Sequence, residues 1–265
     1  MNPVILSFQN VSKMFHVYQS QRTLFRIASS VIQGKRLARS LWALRDVTFE
    51  IRKGDKIAVI GRNGAGKTTL FRVAAGIYKP TSGRIQQKEN VKSLFRYGLG
   101  LNAQLSVLDN IYLMGAYYGM LVAEVRKKLD EILDFSELEE FLYAPVKHLS
   151  SGQVQRLCFS VFIQSRESFM AFDESTSMAD LRFQKKVGMF FDDLFRSDQT
   201  LLLASHNLSD LAARCRHAIW LEKGGLQAYG PTAEVIKGYQ DFCDQYEAES
   251  TEQVRDEAGQ QKLER

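Results

Sequence analysis

Residues 56–69 read KIAVIGRNGAGKTT, and this order decides the fold. An apolar run such as Ile57-Ala58-Val59-Ile60 makes a strand covered on both faces. Glycines at 61, 64 and 66 follow, and glycine lets a backbone turn tightly enough to aim successive N–H groups at an anion. Lys67 then opens a helix, whose positive end adds to the attraction. Strand, glycine loop and helix in that order predict a phosphate-binding loop. Gly61, Arg62, Asn63, Gly64, Ala65, Gly66, Lys67, Thr68 and Thr69 are its expected nucleotide-binding residues. Lys67 is placed for the β- and γ-phosphates and the Thr68 hydroxyl for Mg²⁺.

Working outward, Phe169–Phe172 reads as a second buried strand and ends in Asp173-Glu174. Asp173 is expected to hold Mg²⁺, directly or through water, and Glu174 to polarise the water that attacks a γ-phosphate. Leu201–Ala204 is a third strand, ending in Ser205-His206. At the edge of a parallel sheet, where ligands gather, His206 is expected to contact the γ-phosphate. His16, His148 and His217 carry no such expectation. Val4–Phe8, Val47–Ile51 and Ala218–Leu221 complete the strand signals. From about Val107 to Ser165 the pattern is mainly helical. Val125, Leu129, Ile132 and Leu133 mark one amphipathic helix there, and Ser136 with Glu139 resembles a capping box opening another. Strands alternating with helices indicate an α/β fold with a largely parallel sheet, interrupted by a helical insertion.

Between the phosphate loop and the acidic strand lies Leu149-Ser150-Ser151-Gly152-Gln153, preceding a helix with apolar Val154, Leu157, Cys158, Val161 and Phe162. Phosphate loop, Ser-Gly-Gln turn, acidic strand, Ser175–Asp180 and His206 stand in an order that resembles the ATP-binding-cassette (ABC) ATPases. The resemblance runs from the first strand to about Gly230. It implies a P-loop NTPase core with an antiparallel β part and an inserted helical subdomain. ATP and Mg²⁺ are the implied cofactors. By the same resemblance Ser151, Gly152 and Gln153 serve the ATP of a second copy of the chain, and Asp180 lies in a loop facing that copy. Ser151 stands where glycine is commonest in the family. Phe15 falls where the family places an aromatic ring on adenine; core packing by Phe15, or a role for Tyr18, is the alternative. The domain is expected over 1–247, with the helical subdomain at about 105–165 and a polar tail at 248–265.

The stretch Leu94–Asn110, with its Gly98-Leu99-Gly100, and Ala179–Lys186 resemble the ATPase subunits of O-antigen, capsule and teichoic-acid exporters. No glutamine occupies the family's usual position in that stretch; Gln104 comes late and is assigned no role. Residues 1–45 hold no Asp or Glu but include Arg22, Arg26, Lys35 and Arg36. The 20–41 segment is expected to be a basic amphipathic insertion facing a membrane permease, anionic headgroups or only its own domain. The net charge of +5 permits nucleic acid as a partner. One cassette with no long coiled coil argues for transport instead, so no nucleic acid is expected. An Asn-Lys-x-Asp base-reading motif is missing, which disfavours a GTPase. Three cysteines without metal-ligand spacing, and no apolar run near the ~18 residues of a membrane span, fit a reduced cytosolic protein. The exporter resemblance implies a peripheral place on the cytoplasmic face of the inner membrane.

Overall fold

The computed structural model describes residues 2–18, 38–94, 100–165, 168–173, 181–205 and 207–246. Strands β1 (Val4–Tyr18) and β2 (Ala38–Arg52) form a long antiparallel pair, and β3 (Lys56–Ile60) leads into α1 (Lys67–Ala74). Two shorter strands follow, β4 (Ser82–Gln87) and β5 (Lys92–Leu94). Helices α2 (Val107–Tyr117), α3 (Val122–Lys127), α4 (Leu129–Ser136) and α5 (Ser151–Gln164) come next. The chain then alternates through β6 (Phe169–Phe172), α6 (Leu181–Arg196), β7 (Thr200–Ala204) and α7 (Leu208–Arg214). It closes with β8 (His217–Glu222), β9 (Gly225–Pro231) and a helix α8 over 232–246.

The sheet runs β4-β1-β2-β9-β8-β3-β7-β6-β5. Around β3 the neighbours β7 and β8 are parallel, as are β6 and β5 beyond them. The β4-β1-β2 part is antiparallel. Strands with period-2 side chains and both faces covered divide their residues between two cores. Ile57 and Val59 of β3 pack with Phe71 of α1 in one core, while Ala58 and Ile60 join the other. The second core continues into the helical segment through Ile111, Ile132, Leu157 and Phe162. Phe159 and Phe162 of α5 meet Phe172 of β6, and Phe159 also meets Phe183 of α6. These ring contacts, tilted for Phe159 on Phe172 and edge-to-face for the other two, fix the helix that follows Ser150 against the central sheet.

Two local readings are corrected. The expected single amphipathic helix is two, α3 and α4, separated at Lys128, whose φ of −104° and ψ of 3° depart from helical values. Ser136 does not open a helix; it ends α4, its hydroxyl donating to the Leu133 carbonyl at 3.1 Å. Glu137 then adopts φ 56°, a left-handed helix stop of the kind usually filled by glycine. The opening strands also run further than their apolar cores suggest, to Tyr18 and from Ala38. Of the basic amphipathic insertion expected at 20–41, residues 20–37 lie outside the described residues, and residues 38–41 belong to β2.

Candidate functional site

Parallel strands that lie side by side deliver their C-terminal ends to one edge, where ligands bind. Here β3, β7 and β6 are adjacent, so the glycine loop after Ile60, Ser205 after β7 and Asp173 after β6 share that edge. A cavity of about 510 Å³ opens there, lined by Arg62, Asn63, Gly64, Ala65, Gly66, Lys67, Thr68, Thr69, Asp173 and, from the antiparallel part, Phe15, Leu41, Trp42 and Ala43.

The loop's shape is built by close backbone approach. Gly66 has φ 109°, and a Cβ there would lie 2.5 Å from the Ala43 carbonyl oxygen. Gly64 has φ 80° but meets nothing within 4 Å, so its freedom serves the turn and leaves space open. From beneath, the Gly224 N–H donates to the Ala65 carbonyl at 3.0 Å. Lys67 Nζ donates to the Gly61 carbonyl at 2.5 Å and the Arg62 carbonyl at 3.3 Å. Burial lowers the Lys67 pKa from its ordinary value, opposed by the nearby charges of Asp173 and Glu222. A half-buried ammonium that donates to two loop carbonyls can exchange them for phosphate oxygens.

Thr68 Oγ1 donates to Asp173 Oδ2 at 2.5 Å, bringing a hydroxyl and a buried carboxylate together beside the cavity. Hard oxygen donors of this kind suit Mg²⁺, which keeps several waters and takes phosphate oxygens rather than an all-protein cage. No group of three or more His, Cys, Asp or Glu able to hold a metal occurs among the described residues.

Phe15 lines the cavity with its ring edge-on to Tyr78, centroids 5.3 Å apart, and Lys13 Nζ 5.2 Å above it. Opposite on the ladder, Leu41 pairs with Phe15, and Trp42 beside it is 37% exposed. Leu41, Trp42 and Ala43 were not anticipated from the sequence. The available signal was a large aromatic near the end of a strand that also carries charged residues.

Arg62 reaches the cavity but is committed elsewhere: its guanidinium is bidentate on Glu222 and lies 3.9 Å from the centroid of Tyr246. Ser151, Gly152 and Gln153 are not among the residues lining this cavity. They form the first turn of α5, where Ser150 Oγ accepts from the Gln153 N–H at 3.2 Å and Gln153 Oε1 accepts from the Ser150 N–H at 2.8 Å. That capping box occupies the Gln153 side chain in a local role. At Gly152 an added Cβ would come no nearer than 4.0 Å to any neighbour, here Ser150 Oγ. Among the described residues nothing crowds that position. Glu174, Asp180 and His206 lie outside the described residues, as do residues 95–99.

A lysine-bearing glycine loop beside an acid at the edge of a parallel sheet defines a P-loop nucleotide-binding protein. Residues 44–177 match the ABC transporter family, and the chain belongs to that family as an ATP-hydrolysing cassette. It is 34% identical to the O-antigen export system ATP-binding protein RfbB of Klebsiella pneumoniae, over 90% of this chain and 98% of that one. It is also 34% identical to the teichoic acids export ATP-binding protein TagH of Lactococcus lactis, over 91% of this chain but 52% of that longer protein. The solved dimeric cassette MJ0796, in a post-hydrolysis state bound to ADP and Pi, superposes with a TM-score of 0.66 at 20% identity, covering 86% of this chain and 99% of that one. At that identity the likeness is one of fold.

Proposed function

We propose that this chain powers export of a lipid-linked polysaccharide, of the O-antigen or teichoic-acid type, through a membrane permease. The observation that carries the reading is the match to the Klebsiella export protein over almost its whole length, together with the cavity that gathers Lys67, Thr68, Asp173 and Phe15. No helix among the described residues is long and apolar enough to cross a membrane. By likeness to the export-system relatives, the chain acts in this reading as a peripheral subunit on the cytoplasmic face, and the permease supplies the path.

In this reading the loop N–H groups and Lys67 hold the β- and γ-phosphates, and Phe15 and Trp42 offer flat faces to adenine. Thr68 and Asp173 hold Mg²⁺, which when bound neutralises charge on the phosphate oxygens. Glu174, next in sequence to Asp173, takes the proton of the attacking water, and His206 contacts the γ-phosphate. Ser151, Gly152, Gln153 and Asp180 serve the nucleotide of a second copy in a head-to-tail dimer. The uncrowded surface at Gly152 and the self-capped start of α5 support a binding edge completed from outside. Catalysis then rests on positioning and on charge stabilisation.

Glu174→Gln is expected to bind Mg·ATP and dimerise with hydrolysis reduced about a hundredfold or more. Near-normal turnover would remove Glu174 as the base. In the native host, Lys67→Ala should leave the lipid-linked glycan on the cytoplasmic side. Unchanged surface glycan alongside loss of some other exported compound would redirect the substrate.

A further inference from the structure

We infer that Arg62 is a positioning residue, clamped by Glu222 and helix α8, which shapes the phosphate loop and cancels a carboxylate that otherwise opposes triphosphate binding. The inference rests on the phosphate loop being the nucleotide site.

Three observations carry it. First, Glu222 is an acid beside an anion site: its side chain is only 10% exposed, and its charge reaches Lys67. A carboxylate so placed repels phosphate unless it is paired. Second, the pairing is built for permanence. Arg62 Nη2 and Nε both reach the Glu222 carboxylate, at 2.5 Å and 3.2–3.3 Å, the planar two-pronged geometry that lysine cannot reproduce. The outer face of the guanidinium is covered by Tyr246 at 3.9 Å and Phe242 at 5.4 Å.

Third, the clamp spans three separate parts of the fold. Glu222 ends β8, Tyr246 and Phe242 belong to α8, and the Arg62 carbonyl accepts from Lys67 Nζ. Helix α8 is itself anchored to the sheet by Trp220, whose ring meets Tyr239 and Phe242. The backbone that presents the phosphate-binding lysine is therefore tied, through one guanidinium, to the last described turn of the chain. Arg62 acts through the loop and through Glu222, without needing to touch phosphate.

The test is calorimetric titration of Mg·ATP into the full chain and its variants. Arg62→Ala leaves Glu222 unpaired, and the dissociation constant should rise about tenfold or more. Removing the opposing charge as well, in the Arg62→Ala/Glu222→Gln double variant, should bring it back to within about threefold of wild type. Arg62→Lys should fall between wild type and Arg62→Ala, and Tyr246→Ala should weaken binding about two- to fivefold. Both of these would show that geometry contributes beyond charge. An Arg62→Ala variant that binds normally overturns the inference, and so does a double variant as weak as the single one. If Arg62→Ala does not fold, Arg62→Lys and Tyr246→Ala decide: both should weaken binding, and wild-type dissociation constants in both overturn the inference. Failure of the wild-type chain to bind Mg·ATP would instead strike the nucleotide reading itself.

Discussion

Substituting alanine at Gly66 and at Gly64 separates two costs that the phosphate loop combines. Both have positive φ, 109° and 80°. Alanine at an ordinary left-handed position costs about 1–2 kcal/mol from its Cβ alone. At Gly64 the added methyl meets nothing within 4 Å, so that is the whole expected loss. At Gly66 it would sit 2.5 Å from the Ala43 carbonyl oxygen and 3.2 Å from Leu44 Cδ2. Backbone cannot yield as the tip of a side chain can, so strain and overpacking together raise the loss to about 3–5 kcal/mol. Gly76, at φ 72° with nothing within 4 Å, is the matched control outside the cavity lining. Urea unfolding of the nucleotide-free protein, read by far-UV circular dichroism, should place Gly64→Ala and Gly76→Ala together and Gly66→Ala well below both. Mg·ATP titration should show binding kept in Gly76→Ala and lost in Gly66→Ala. Equal destabilisation at 64 and 66, or normal binding by Gly66→Ala, would refute the reasoning that Ala43 sets the loop's shape.

Two further outcomes follow from the same geometry. Burial lowers the Lys67 pKa, so the nucleotide-free folded protein holds that proton less tightly than the unfolded chain does. The lysine's destabilisation is complete below its folded pKa and fades as pH climbs toward the ordinary 10.5, while ATP, which favours the charged form, binds more weakly over the same rise. Mg·ATP affinity measured from about pH 7 to 10 should therefore decline before the ordinary lysine value is reached, and a flat profile would contradict this. Asn110 is fully buried; it donates to the carbonyls of Asn102, Leu105 and Ser106 and accepts from the Asn102 N–H at 2.7 Å. Asn110→Ala strands those groups and should cost about 2–4 kcal/mol in urea unfolding; a loss below about 1 kcal/mol would mean that water replaces the amide.

The parts of the fold legible in the sequence were those in which local pattern and tertiary role coincide. A buried strand, three glycines and a lysine at 56–67 require one another, and the order of apolar strands ending in Asp173 and Ser205 placed both at the same sheet edge. The rest depended on distance or on competition. Arg62 looks like a loop residue until Glu222, 160 positions later, claims its guanidinium. Trp42 precedes the strand expected at Val47–Ile51, and only the ladder with β1 carries it to the cavity. Ser136 and Glu139 have capping-box spacing, yet the turn at Glu137 ends a helix there. The working boxes are Ser106 with Asp109 and Ser150 with Gln153. The second of these lay inside the pentapeptide read as a ligand motif, where a binding role obscured a structural one.

The β1–β2 ladder has a mechanical consequence. Its last described pair is Tyr18↔Ala38, so positions 20 apart in sequence sit side by side on the ribbon. Three rungs further in, at Phe15↔Leu41, the same ribbon forms the aromatic wall of the cavity. That is about 10 Å of paired strand. A pull or twist applied at Tyr18 and Ala38 travels along this paired two-stranded ribbon to the aromatic wall of the cavity.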